Sequence, residues 1–405
     1  MTTWTKQKLG EIAEIIMGQS PESKFYNESG NGLPFFQGVK DFGNKYPTVT
    51  KWTTSSNKVA IENDILFSVR APVGDINVTK LKCGLGRGVC AIRSKHKQNE
   101  FLYFLLRANI NKIINIGNGS IYDSINKPTL ENIELLVPDL PTQQKIASVL
   151  SAYDDLIENN EKRIKALEEM AQLLYTEWLM KFKFPGHEKV KMIDSDTLYG
   201  KVPEGWLIKL LGDIATVVSG YAFKSSDFQK TGIRVIKIKN IKSDNSVDVE
   251  NSDFVPSSFL TNQLVKYILK RGDIIIAMTG ATAGKVGRLF NNETMLLNQR
   301  VAKVKPSKGY YSLVWGRIGN RDAERELYNL AGGAAQPNMS GSQIENIQIL
   351  IPTESISRTY DNLIFPLLSE ILLIQEKNQN LVKIRYLLIP KLVSNNRNTG
   401  SSNGK

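Results

Sequence analysis

Histidine and cysteine are almost missing from this chain, which has only His96, His187, Cys83 and Cys90 in 405 residues. At those spacings they assemble no structural zinc site, and two histidines leave little from which to build a Ser/His/Asp or Cys/His nucleophilic centre. Solvated surface is the expectation for both imidazoles. Long apolar runs are missing too. Nothing approaches the ~18 residues that a membrane span requires, and the first residues form no signal-peptide core. Two thiols need no partner in a reducing compartment, so a cytoplasmic setting is expected.

Cofactor loops are also wanting. Gly280-Ala-Thr-Ala-Gly-Lys285-Val286 has its glycines one residue too close for a P-loop and offers Val286 where magnesium needs a hydroxyl. Gly84-Leu-Gly-Arg-Gly88 lacks the third glycine step of a dinucleotide fingerprint and reads as a turn. Asn338-Met-Ser-Gly has Pro337 before its asparagine, not after it, and fails as a methyltransferase tetrapeptide. The expectation is a chain without catalytic residues, metal or cofactor of its own.

What is present in excess is positive charge, 52 Lys and Arg against 40 Asp and Glu, a net +12. Such a balance favours a polyanionic partner, because each neutralised phosphate releases counterions. The excess lies in two segments: residues 1–142 hold 17 basic and 13 acidic groups and residues 186–352 hold 22 and 16, whereas 143–185 hold 6 and 7. An apolar content of 41% over this length suffices for more than one core.

The two basic segments repeat each other. Trp4 and Leu9-Gly-Glu-Ile-Ala-Glu-Ile-Ile-Met-Gly18 recur 202 positions later as Trp206 and Leu211-Gly-Asp-Ile-Ala-Thr-Val-Val-Ser-Gly220. Asn63-Asp-Ile-Leu-Phe-Ser-Val matches Gly272-Asp-Ile-Ile-Ile-Ala-Met, each an Asp leading an apolar run that reads as a buried strand. Leu130-Glu-Asn-Ile-Glu-Leu-Leu-Val-Pro138 matches Ile344-Glu-Asn-Ile-Gln-Ile-Leu-Ile-Pro352, a helix end running into a strand that proline closes.

A long helix is expected after each copy. No Gly or Pro falls between Thr142 and Phe184, and apolar positions alternate by four and three along Tyr153, Ile157, Asn160, Ile164, Leu167, Ala171, Leu174 and Trp178. That is a coiled-coil seam, with Asn160 as the polar residue that fixes register. The second seam runs Leu367, Ile371, Ile374, Asn378, Leu381, Arg385 and Leu388 and is expected to stop at Pro390. Asn378 and Arg385 interrupt it, and Ile384 is an alternative for Arg385. Neither stripe buries itself alone, so an antiparallel pairing is the economical solution; the other reading packs each helix on its own lobe. Lys181 to Gly205 reads as a linker.

Taken with Ser68-Val-Arg-Ala-Pro-Val-Gly-Asp75, Cys83-Gly-Leu-Gly-Arg-Gly-Val-Cys-Ala91, Gly272–Gly280 with Gly284-Lys-Val286, Leu297-Asn-Gln-Arg-Val301, and the helix entries Val137–Gln144 and Ile351-Pro352, the chain resembles the specificity subunits of type I restriction-modification systems over about residues 4–394. The second entry departs, with Ile356-Ser-Arg358 where the first has Thr142-Gln-Gln144. The resemblance implies an α+β architecture: two pseudo-repeated α/β target-recognition domains (1–142, and 186–352 with the linker) separated by two long antiparallel helices (143–185 and 353–394) forming a coiled coil, with a disordered tail at 395–405. It implies a non-catalytic subunit that recognises a bipartite, asymmetric target in double-stranded DNA. The implied partners are two modification (methyltransferase) subunits and, in the restricting complex, restriction subunits; these would carry S-adenosylmethionine, ATP and magnesium. A helix of about 33 residues spans about 50 Å, enough to set two heads one duplex turn, roughly 34–36 Å, apart.

Base edges call for Arg, Lys, Asn and Gln on loops, and phosphates for Lys, Arg and backbone amides. The first domain offers Lys24, Gln37, Lys40, Arg70, Arg87, Asn118 and Tyr122 for DNA contact, and the second Tyr221, Lys224, Lys237, Lys239, Asn240, Thr279, Lys285 and Gln336. Arg70 and Arg87 have a second reading, as groups that hold the fold through backbone carbonyls. Two rival functions stay open: a coiled-coil DNA-binding scaffold without sequence preference, and a fused DNA nuclease whose unrecognised site would betray itself by magnesium-dependent nicking.

Overall fold

The computed structural model describes residues 3–117, 124–195, 199–332 and 337–393. It divides into two compact units, Met1–Ile157 with Leu381–Lys405, and Glu158–Asn380. The divisions fall inside both long helices, so each unit is one lobe of the sequence repeat together with a stretch of each helix.

In the first unit, Trp4–Lys8 pairs antiparallel with Glu134–Pro138. A four-stranded sheet follows in the order Ala13–Met17, Val89–Ser94, Ile65–Ser68, Ile76–Val78. In a second sheet, of five short strands, Leu33–Phe36 runs parallel to Cys83–Leu85, and Val59–Ala60 lies antiparallel to the latter. Ile65–Ser68 is buried at every residue, which is why its sequence is continuously apolar rather than alternating. Asp64, at its start, is buried and clasped by the Arg93 guanidinium through two bonds of 2.7 Å. Cys83 and Cys90 are free and buried; burial pushes the Cys83 thiol up to about 11 and Cys90 further still, so neither is a reactive thiolate. Helix Asn99–Ala108 closes the core, which also takes in Ile146, Ala147 and Leu150 from the start of the first long helix and Ile389 and Val393 from the end of the second.

The second unit repeats this plan in its main pairings. Leu207–Leu210 pairs with Gln348–Ile351, and the four-stranded sheet runs Ala215–Ser219, Val301–Pro306, Ile274–Ala277, Val286–Arg288. Ile233–Ile236 lies parallel to Met295–Leu297, with Ile268–Leu269 antiparallel to the latter. Its core contains Ala171, Tyr175, Trp178 and Leu179 from the end of the first long helix and Tyr360, Ile364, Leu368 and Ile371 from the start of the second. Part of the expected linker belongs to this core: Phe184 and Val202 are buried, and Met192–Asp194 pairs with Lys201–Pro203.

The central helix runs Leu140–Tyr175 and ends in one wide turn, Thr176–Met180. All eight residues of its expected seam are buried or half-buried. The distal helix runs Glu354–Val393. It does not stop at Pro390, and it also passes through Pro366; both prolines sit on exposed positions, where each removes one backbone bond without burying the orphaned carbonyl. The two helices are antiparallel within each unit. In the first, Arg385 is ion-paired with Asp154; in the second, the Asn160 amide donates to Asn378 Oδ1 at 2.7 Å, and Trp178 meets Tyr360 at 6.0 Å between ring centroids. Arg385 therefore holds its seam position, and Ile384, 43% exposed, does not replace it. The antiparallel pairing therefore holds, and each stretch of helix is also packed on the lobe of its own unit.

In the second unit Arg288 is wholly buried, stacked 4.2 Å over Trp315 and donating to the Leu368 carbonyl. Glu168 lies near it on the central helix. Burial raises the Glu168 carboxyl to about 7, against the pull of Arg288. From about pH 4.5 to 7 the folded protein therefore holds a proton that the unfolded chain has released, and stability falls as pH rises through that window. The expected loss is on the order of 1–3 kcal/mol. Urea unfolding across pH 4–8 should show this slope in the wild type and a flatter one in Glu168→Gln; equal slopes would place the carboxyl in solvent.

Candidate nucleic-acid interface

Three chain segments meet at corresponding edges of the two lobes, and glycines let them approach. In the first lobe the amides of Gln19, Gly86 and Gly88 donate to Leu85, Phe36 and Gln37 carbonyls at 2.9, 2.8 and 3.1 Å. A Cβ on Gly18 would lie 2.1 Å from the Gly86 carbonyl oxygen, and one on Gly88 2.4 Å from that of Gln37. The turn after Cys83–Leu85 is thus wedged between neighbours, and Gly84, Gly86 and Gly88 leave the room this packing needs. Val69 donates to the Gly88 carbonyl, Arg70 bridges to Ser124, and the Arg87 amide donates to Ser20 Oγ at 3.1 Å.

The second lobe builds the same frame from different residues. Tyr221 donates to Leu297, Asn298 to Ile236 and Met278 to Arg300, at 2.8, 3.0 and 3.0 Å, and Thr279 bridges to Asn338. These bonds place Tyr221 where the first lobe has Gln19, Lys237 where it has Gln37, Gln299 where it has Arg87, Arg300 where it has Gly88 and Thr279 where it has Arg70. Backbone geometry is kept while side-chain chemistry changes.

Of the residues expected to contact DNA, Gln37, Arg70 and Arg87 share the first edge, and Tyr221, Lys237 and Thr279 the second. Arg70 and Arg87 are exposed, and neither guanidinium bonds a carbonyl among the described residues. Lys40, Lys224 and Lys285 sit on other turns, their ammonium groups without a partner among the described residues. Lys24 is paired with Glu22 at 2.6 Å. Lys237 and Lys239 both clasp Asp253, at 2.6 and 2.8 Å; burial pushes that carboxyl up, but the two ammonium groups outweigh it and hold it below the usual range. Their charge is thus partly spent within the lobe. Asn240 is a correction: it is fully buried, its amide donating to the Asp248 carbonyl and accepting from the Lys237 amide, so it offers no edge to a base. Asn118, Tyr122 and Gln336 lie outside the described residues. Sequence reading missed Gln299 and Arg300, both exposed, although it had marked their stretch; the signal was the alignment of Arg87 with Gln299. His96 is exposed, and His187 is half-buried with Nδ1 2.9 Å from the Phe184 carbonyl oxygen. No described helix is long and apolar enough to cross a membrane.

The chain is thus a duplicated basic lobe with a long helix after each copy, the arrangement of a two-domain binding protein. The chain belongs to the family described as the type I restriction modification DNA specificity domain, which matches residues 1–169 and again 203–384. It is 28% identical to the type I restriction enzyme MjaIX specificity subunit of Methanocaldococcus jannaschii, covering 96% of this chain and 92% of that protein. It is 23% identical to the HindI specificity subunit of Haemophilus influenzae, over 73% and 76% of the two chains. The crystal structure of the type I restriction-modification S subunit from M. genitalium shares the fold, with a TM-score of 0.62 over 97% of each chain at 15% identity. Family membership makes this chain a specificity subunit and not the catalyst.

Proposed function

We propose that each lobe reads one half of a bipartite, asymmetric target in double-stranded DNA, and that the chain docks two modification subunits and, in the restricting complex, restriction subunits. The observation that carries this reading is the repeated edge: one backbone frame bearing Gln19, Gln37, Arg70 and Arg87 in one lobe, and Tyr221, Lys237, Thr279 and Gln299 in the other. Two like frames with unlike side chains read unlike half-sites. Methyl transfer from S-adenosylmethionine and ATP- and magnesium-dependent cleavage belong, on this reading, to the partner subunits, and a cytoplasmic setting follows from access to the chromosome.

The test is a map of methylated adenines in cells carrying this chain with its modification subunit. Arg87→Ala is expected to relax only one half of the mapped motif and Gln299→Ala only the other, each by about 1–3 kcal/mol if the side chain reads a base. Where it meets only phosphate, all sequences weaken together and the salt dependence flattens. Equal affinity of the wild type for every duplex at fixed salt would instead favour a scaffold without sequence preference.

A further inference from the structure

The two copies are alike enough to raise a question of partner choice. Each long helix follows the same junction: Gln143 Nε2 donates to the Pro138 carbonyl at 2.8 Å, and Ser357 Oγ, 214 positions on, donates to that of Pro352 at 3.2 Å. Carried along the helices, this spacing equates Asp154 with Leu368, Asn160 with Ile374, Ile164 with Asn378 and Ala171 with Arg385. The polar residues of the seam thus occupy positions that are apolar in the other copy. They meet only when unlike helices pair: Asp154 with Arg385, and Asn160 with Asn378 at 2.7 Å.

Two N-terminal copies paired in the same register would set Asn160 against Ile164 and Asp154 against Ala171. Two C-terminal copies would set Asn378 against Ile374 and Arg385 against Leu368. A symmetric pair repeats every mismatch twice. Shape adds to charge. Tyr175 of the central helix lies so close to Gly316 in the second lobe that a Cβ there would sit 2.2 Å from its ring. The corresponding helix of the first lobe, Asn99–Ala108, has no glycine and is filled from Phe101 to Leu106, and the residue equivalent to Tyr175 is the smaller Ile389.

We infer that Asp154–Arg385, Asn160–Asn378 and Tyr175–Gly316 form a recognition lock by which each half of the chain selects the unlike half and refuses a second copy of itself. Buried polar residues at single seam positions specify partners in this way at some cost in stability. The lock does not depend on the DNA reading. Its consequence, that no like-paired fragment becomes a reader of palindromes, does rest on that reading.

The test uses the full chain with a protease site inserted after Glu188, in the exposed stretch beyond His187. The folded protein is cut, isotopically labelled and unlabelled samples are mixed in the lowest urea concentration at which labels scramble between halves, and pairs are counted by native mass spectrometry. Unlike pairs are expected to exceed like pairs by about a hundredfold or more, two tenfold steps for two polar mismatches; a statistical mixture overturns the inference. Asn160→Ile with Asn378→Ile, each taking the residue of the other copy, should raise like pairs at least about tenfold, and adding Asp154→Leu with Arg385→Ala should raise them further. The uncut double variant, checked for helix content by circular dichroism, guards against misfolding. Like pairs that stay rare in both folded variants would show that the polar residues do not choose the partner.

Discussion

One heptad added to each long helix, after Ile157 and before Leu381, is expected to widen the preferred gap between half-sites by two or three base pairs. These insertion points are matched across the seam, since Asp154 pairs with Arg385 three and four residues away, so a whole heptad in each keeps every existing pair in register. Seven residues lengthen a helix by about 10 Å, and duplex DNA rises about 3.4 Å per base pair. Three added pairs also turn one half-site by nearly a third of a duplex turn relative to the other, whereas a heptad rotates a coiled coil only slightly. The compromise between rise and rotation is why two is as good an expectation as three. Methylation at the original gap should fall at least about tenfold and be recovered on targets with the longer one. The same insertion in the central helix alone leaves seven residues unmatched and should cost stability instead of shifting the gap. A folded double insertion that still prefers the original gap would show that something other than these helices sets it.

The parts of this molecule that hydrophobic period controls were legible from sequence. The repeat, the buried strands behind Asp64 and Asp273, and the seam from Tyr153 to Trp178 all follow from which residues leave water. What was not legible depends on which residue stands opposite. Arg385 read as an interruption because its countercharge, Asp154, lies 231 positions earlier and one residue beside the assigned seam position Tyr153. Asn378 read as a second flaw until it met Asn160. Pro390 read as a stop because proline usually ends a helix; here the last turn is held by Ile389 and Val393 in the first lobe's core, and tertiary burial outweighs local propensity. At the interface, residue type alone did not separate Asn240, whose amide is consumed in its own turn, from Arg87, whose guanidinium is not. Nor did it show Arg300, which stands where the other lobe has a glycine. Such positions emerge only when hydrogen bonds align the two lobes.

Loss of the Asp154 carboxylate is expected to be among the most damaging single changes in the first unit. Its side chain is 2% exposed and meets Lys45 at 2.7 Å from the lobe and Arg385 from the distal helix, themselves 20% and 14% exposed. Asp154→Ala leaves the largely buried Arg385 guanidinium without its countercharge, and breaking a buried pair in this way costs about 3–5 kcal/mol. For a unit of this size that is roughly 10 °C in melting temperature. The pair is not irreplaceable, however. At the equivalent place in the second unit Leu368 and Ala171 are both buried within one apolar core. Asp154→Leu combined with Arg385→Ala should therefore recover most of the loss, Lys45 being near enough to the surface to turn its ammonium into water. The pH dependence separates the ionic contribution from packing. Burial works to lower the Lys45 pKa, but its bond and charge contact with Asp154 outweigh this and leave it raised above the ordinary 10.5. The stabilisation is then complete below pH 10 and fades as pH climbs through the folded value, so thermal melts between pH 9 and 12 should fall more steeply in the wild type than in Asp154→Ala. A loss under about 1 kcal/mol at neutral pH, the level of an exposed pair, would mean that water reaches this triad and that lobe and helices are joined there by apolar contact alone.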